Sequence, residues 1–388
     1  MIKIKPYTEL ANGDEILQLY LSIAAYAMPF YLEDIFPDGL FYPDGKQAKS
    51  ITCFNRTTRR RTDTYKQTLR TYHIADGSTT IAKRKADALL AEEIIRRYSE
   101  DLHRFLYDGA SGNGHVVPEK LRLLLTTPTN DKGIEMSGLK QVFENVMEAS
   151  EGSKADLIKH VFRYEIFAKH KGINHFVSLL GVDVCPYCNR LYTTVIARRV
   201  YASPVRPALD HYRSKSLYPF LALSILNLVP CCSVCNQVKG DCKEALLYPY
   251  KEEMGPDYVF RTQPKEGISY LTGSRVSAQD FSIIFTEKQL VDPEKKERIA
   301  NSISILRLDA LYNSHRDYAS ALMLQRYIFT EEMISELRRQ FPDLFQDEKE
   351  IRNMLLLMDI SQGSWGRRPL AKLTHDLNEE LDFVYGKR

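Results

Sequence analysis

The chain has 388 residues, 44% hydrophobic and 27% charged, the balance of an ordinary folded protein able to bury a large core in about two or three domains. No apolar run approaches the roughly 18–20 residues that a membrane span needs, and no long apolar stretch follows the N-terminal Met1 to Tyr7, which argues against a secretory signal and leaves the cytoplasm as the expected location. Net charge is +3, which by itself points to no class of partner.

In chain order, residues 1–152 read as mostly helical. Apolar residues at helical spacing (Leu89, Leu90, Ile94, Leu102, Phe105, Leu106) predict a helix from Ile81 to Tyr107. The Gly-rich stretch from Asp108 to Gly114 then reads as a loop, and it lacks the Lys and Ser/Thr of a phosphate-binding loop. Further helices are expected over Leu139 to Met147 and Lys154 to Lys169, with Glu151-Gly152-Ser153 as a domain boundary. Arg56 and Arg59 to Arg61, beside Tyr65 and Lys66, read as a solvated basic face, with a nucleic-acid or partner contact as the alternative.

The centre changes character. Leu191 to Ala197 is rich in β-branched residues and reads as a strand, with Val205 to His211 as its hairpin partner. A connecting segment with a short helix follows from Leu217 to Leu226, then a helix from Val234 to Asp241. Strands at Tyr258 to Arg261 and Phe281 to Phe285 precede long helices at Tyr312 to Phe341 and Glu348 to Ile360. Trp365, the one tryptophan, reads as an aromatic anchor of the C-terminal packing. The fold class is α+β, mostly helical, divided as 1–152, 153–255 and 256–388.

Six of the seven cysteines crowd into residues 185–242, and the seventh is Cys53. Cys185-Pro-Tyr-Cys188 and Cys232-Ser-Val-Cys235 are two pairs at the spacing that favours a metal over disulfides in a reducing compartment. Zinc takes four thiolates tetrahedrally, and two such turns close one structural site. Cys231 abuts Cys232 and could compete as a ligand, but the Cys232 to Cys235 spacing matches the first pair, so Cys231 is read as a bystander; Cys242 and Cys53 lack partners at ligand spacing and are read as core or surface thiols.

Between the pairs lies Asp210-His211. The window from Cys185 to Lys243 holds eight Lys/Arg against two acids, a charge of +6 that suits a polyanionic substrate. Phosphodiester hydrolysis needs an activated water and charge stabilisation at phosphorus. A neutral His suits the role of general base near pH 7, and an Asp carboxylate with an Asn carbonyl suits a hard divalent cation such as Mg²⁺ or Mn²⁺. His211 is then the base, Asp210 and Asn236 the metal ligands, Asn227 the residue holding the His211 ring, and Lys239 the group facing the phosphate. Arg206, Arg213 and Lys215 are candidate nucleic-acid contacts, against the plainer reading of an exposed basic loop.

The residues Leu209-Asp-His-Tyr-Arg-Ser-Lys-Ser-Leu-Tyr-Pro219, then Asn227-Leu-Val-Pro-Cys-Cys-Ser-Val-Cys-Asn-Gln-Val-Lys-Gly240, resemble the HNH endonuclease superfamily, and Cys185-Pro-Tyr-Cys188 adds to the likeness. The detailed pattern is similar to HNH subunits of bacterial anti-phage systems of the Septu type. The strong match covers about residues 183–243, with a looser similarity from about 155 to Arg368-Pro-Leu-Ala-Lys-Leu373. The resemblance implies a small ββα-metal finger with zinc knuckles embedded between helical regions. It also implies a catalytic Mg²⁺ or similar ion, 5′-phosphate products, DNA or RNA as substrate and a partner ATPase. Where the family commonly has Pro, this chain has Ser214. The rival is a zinc-stabilised nucleic-acid-binding or scaffold protein without catalysis, which would have no need of Asp210, His211, Asn227 and Asn236. A third reading is a nuclease held inactive until a partner licenses it.

Overall fold

A computed structural model describes residues 1–36, 40–41, 47–48, 78–108, 112–149, 158–159, 161–170, 172–196, 205–265, 276–288 and 290–385. The basic cluster at Arg56 to Lys66, Cys53, and the expected boundary at Glu151 to Ser153 lie outside these residues. The fold is α+β and mostly helical, and among the described residues it has three small antiparallel strand pairs: β1 (Leu40–Phe41) with β2 (Gln47–Ala48), β3 (Ala208–His211) with β4 (Leu228–Cys231), and β5 (Tyr258–Pro264) with β6 (Phe281–Glu287). No helix among the described residues is long and apolar enough to cross a membrane.

Helix α1 (Gly13–Ala27) is the inner pillar of the N-terminal half. Ile16, Tyr20, Ile23, Ala24 and Ala27 are all fully buried, so it is covered on nearly every side, as a helix with apolar residues all round must be. Between α1 and the middle of the chain α2 (Leu32–Ile35), α3 (Ser78–Tyr98), α4 (Glu100–Tyr107), α5 (Pro118–Thr126), α6 (Asp131–Met136) and α7 (Lys140–Ala149) follow. The single helix expected over Ile81 to Tyr107 is two. Ser99 leaves helical geometry at φ −154°, and Glu100 and Asp101 in the next first turn complement a new helix N-terminus.

Two short helices, α8 (Tyr164–Lys169) and α9 (Ile173–Leu179), pack on α1. The Tyr20 ring meets Phe167 edge-on and lies tilted against Phe176. The expected pairing of Leu191 to Ala197 with Val205 to His211 is corrected. Among the described residues one bridge, Ile196 to Val205, links those segments. The chain instead curls back at Val184 to Tyr192, where the Cys185 amide bonds the Leu191 carbonyl at 2.9 Å, so these backbone groups close a turn rather than a ladder. Strand β3 takes β4 as partner, with Asp210 opposite Val229 and His211 opposite Leu228. Helix α10 (Ser233–Lys239) follows β4 directly.

Downstream, β5 and β6 extend two or three residues beyond the expected strands. Helices α11 (Pro293–Ile305), α12 (Leu308–Asn313), α13 (Arg316–Ile328), α14 (Glu331–Gln340), α15 (Glu348–Leu356) and α16 (Ala371–Tyr385) complete the chain. The long helix expected from Tyr312 to Phe341 breaks twice, at Ser314 and His315 between α12 and α13, and at Thr330, whose hydroxyl accepts from the Met333 amide and starts α14 afresh. Trp365 is buried, as its reading as an anchor expects, and its indole N–H donates to the Ile360 carbonyl. One apolar cluster runs from Met1 to Leu381 and draws side chains from all three sequence segments.

His170 ends α8 inside this core. Its Nδ1 accepts from the Gly172 amide at 3.0 Å, and the Tyr26 ring meets it edge-on. A Cβ on Gly172 would stand 3.0 Å from that nitrogen, so a larger residue there would press on the ring. Burial lowers the His170 pKa from 6.5 to about 4. The folded state therefore prefers the neutral ring, and the stability this represents is present above pH 6.5 and declines as pH falls towards 4. The decline attributable to His170 is on the order of 3 kcal/mol. In denaturant titrations across that window, His170→Gln is expected to flatten the slope of stability against pH, whatever its effect on absolute stability; an unchanged slope refutes the assignment.

Candidate metal centre and adjoining polar cavity

The two C-x-x-C turns are built differently. In the first, the Asn189 amide closes on the Cys185 carbonyl at 2.8 Å, and Asn189 adopts the left-handed conformation (φ 50°) that asparagine tolerates better than most residues. Its side chain donates to the Trp365 carbonyl and accepts from the Lys372 amide, which ties the turn to the C-terminal region. In the second, Cys232 caps α10, its sulfur accepting from the Cys235 amide. Gly240 ends the same helix at φ 50°, where a Cβ would be strained.

Cys185, Cys188, Cys232 and Cys235 are buried, and their sulfurs all lie within 4.8 Å of one another. The Cys188 and Cys232 sulfurs are 3.9 Å apart. A tetrahedral zinc with Zn–S of about 2.3 Å requires sulfurs about 3.8 Å apart, so the four thiols could bind a metal such as zinc. Hydrogen bonds from Cys185, Cys188 and Cys235 hold the Cys232 thiol far below the ordinary cysteine range, while burial pushes Cys185 up. Such a cluster cannot carry its full negative charge without a cation. Cys231 is buried beside Asp210 and belongs to no such group, and Cys242 stands apart.

A cavity of about 380 Å³ opens beside this cluster, lined among others by Asp210, His211, Asn236, Lys215, Arg206 and Asp241. Adjacent strand residues face opposite ways, but β3 ends at His211 and the chain bends at once, so both Asp210 and His211 reach the cavity. The His211 ring nitrogen Nε2 lies 3.1 Å from the Ala222 carbonyl oxygen. A carbonyl only accepts, so Nε2 carries the proton and Nδ1 is the basic nitrogen. Tyr164 meets the ring edge-on. Burial lowers the His211 pKa to about 3, with the Ala222 bond opposing, and the imidazole is neutral at pH 7.

Three expected roles are corrected by the geometry. Asn227 does not touch the His211 ring. Its Oδ1 accepts from the Arg213 amide at 2.8 Å, and its Nδ2 donates to the Arg213 and Leu221 carbonyls at 3.0 and 3.1 Å. It thereby pins the backbone on both sides of the loop whose Ala222 carbonyl holds the ring. Lys239 does not face the cavity. Its side chain is fully buried, and its ammonium bonds the Asp210 carboxylate and, at 2.7 Å, the His211 carbonyl. Arg213 pairs with Asp131, donates to the Thr129 carbonyl and lies over Phe143, so it anchors the loop to the N-terminal helices. Lys215 and Arg206 do line the cavity. Lys215 pairs with Glu165, and Arg206 donates to the Ala168 carbonyl.

Sequence reasoning missed other participants. The Tyr20 hydroxyl donates to the Leu223 carbonyl, and Thr129 Oγ1 to the Leu226 carbonyl, so the N-terminal region grips the segment between β3 and β4. Ser214, where the resemblance leads one to expect Pro, is buried and donates to Asp241, a bond proline could not make. Tyr187, between the first two cysteines, donates to Asp210 at 2.6 Å. Only Tyr187 carried a signal, since it sits inside a C-x-x-C turn. Main-chain carbonyl acceptors leave none. No family model, curated protein or solved structure matches the chain, and the site stands on its own geometry.

Substituting Cys185→Ser is expected to remove most of the bound metal and much of the soluble yield, because metal binding to such a site is coupled to folding. Metal content by atomic emission and thermal unfolding are the measurements. A folded variant with undiminished metal refutes the four-thiolate site.

Proposed function

We propose that this protein is a metal-dependent endonuclease of the HNH, ββα-metal type, hydrolysing phosphodiester bonds in nucleic acid, with DNA as the substrate class. The observation that carries the proposal is the meeting of Asp210, His211 and Asn236 on one cavity, with the His211 Nε2–H committed to a backbone carbonyl. The order β3, β4, α10, with cysteines from two turns gathered at its base, supports the same reading.

In this mechanism Nδ1 of His211 takes the proton of the attacking water. The Ala222 carbonyl fixes the ring and stabilises the imidazolium that forms. Asp210 and Asn236 offer a carboxylate and an amide oxygen, the donors a hard cation such as Mg²⁺ or Mn²⁺ prefers. When bound, that cation would neutralise phosphate oxygens and stabilise the leaving alkoxide. Lys215 and Arg206, at the cavity wall, meet the phosphate backbone. The four thiolates take Zn²⁺ as a structural ion. The resemblance to anti-phage HNH subunits extends the proposal to phage defence beside a partner ATPase in the cytoplasm.

The test is a plasmid-cleavage assay with and without added Mg²⁺ or Mn²⁺. The wild type is expected to cut only with the cation, and His211→Ala to lose activity by roughly 10²–10⁴-fold while keeping its zinc. A His211→Ala protein that cuts like wild type shows that the base is misassigned. A wild type that binds nucleic acid but never cuts it favours the non-catalytic scaffold reading.

A further inference from the structure

Tyr187 sits between the first two cysteines, fully buried, yet its hydroxyl reaches the wall of the polar cavity. It donates to Asp210 Oδ2 at 2.6 Å. Lys239, from the helix that Cys232 caps, bonds the same carboxylate at 3.1 Å to Oδ2 and 3.2 Å to Oδ1. Asp210 is thus held by one group from each cysteine turn. Tyrosine and lysine together load Oδ2, while among the described residues Oδ1 takes only the lysine. Each carboxylate oxygen has about two lone-pair sites, so Oδ1 keeps one for a further partner, and Asp210 is a wall of the cavity.

The Tyr187 hydroxyl and the Lys239 ammonium are the donors that hold this buried carboxylate in its orientation. Tyr187→Phe keeps the ring and removes the donor to Asp210.

We propose that Tyr187 is a positioning residue for divalent-cation binding: by donating to Oδ2 it aims Asp210 Oδ1 into the cavity and couples the cysteine cluster to the cation site. The inference rests on the endonuclease reading above. Removing an outer hydrogen-bond partner of a metal ligand typically weakens metal binding roughly 10–100-fold.

The experiment measures Mn²⁺ binding to the zinc-loaded full-length protein by electron paramagnetic resonance, with zinc content and thermal unfolding in parallel. The proteins are wild type, Tyr187→Phe, Asp210→Asn and the double variant. Tyr187→Phe is expected to keep its zinc, to bind Mn²⁺ at least about ten-fold more weakly, and in cleavage assays to need correspondingly more cation while approaching the wild-type rate at saturation. In the Asp210→Asn background the same change is expected to add little, because the tyrosine acts through Asp210. Unchanged Mn²⁺ affinity, full additivity in the double variant, or loss of zinc from Tyr187→Phe each overturns the proposal. A wild type that binds no Mn²⁺ overturns both this inference and the endonuclease reading, whereas a wild type that binds and cuts, with Tyr187→Phe unaffected, sinks this inference alone.

Discussion

Sulfurs from two turns separated by 44 residues, Cys188 to Cys232, meet at 3.9 Å inside a buried cluster of four. Thiols packed this closely in a low-dielectric interior resist common ionisation, and a cation resolves the conflict. That constraint sets the distance between the chain before β3 and the chain after β4. The hairpin between them is four residues per strand, too short to be stable alone. The cluster supplies the closure that so few ladder bonds cannot.

From this base the polar site is assembled by groups that do not touch the cavity. Lys239 and Tyr187 each stem from one cysteine turn and converge on Asp210. A buried ion pair of this kind is weak support for stability, since desolvation offsets most of the attraction. Its value here is orientation. The other half is set by the long segment between the strands. Asn227 fastens that segment to itself, and Tyr20, Thr129 and Asp131 fasten it to the N-terminal helices. The Ala222 carbonyl, and with it the His211 ring, is therefore held in place from residues nearly two hundred positions upstream. The N-terminal region has a physical role at the site that its own sequence does not advertise.

Local chemistry was legible where it depends on spacing. Two C-x-x-C pairs announce a metal cluster, and Asp210, His211 and Asn236 line one cavity in the structure. What misled was direction. Lys239 lies one turn beyond Asn236, a spacing that predicts the same face, but its ammonium ends on the Asp210 carboxylate and the His211 carbonyl. Arg213 stands two residues past His211, yet Asp131 on a distant helix captures it. The strand expected at Leu191 to Ala197 has the right composition for a ladder, but the turn around Cys185 uses its backbone groups first.

By itself the amino-acid sequence determined the helical majority, the β5–β6 pair, the four clustered cysteines and the identity of the polar residues around them. These follow from periodicity, residue type and short-range spacing, which any stretch of chain carries within itself. Tertiary structure decided which strand pairs with β3, which cations are spent on internal carboxylates, and which carbonyl orients His211. Those outcomes depend on which groups meet across long sequence separations, where burial and competition for a limited set of partners choose among options that the chain, read locally, leaves equal.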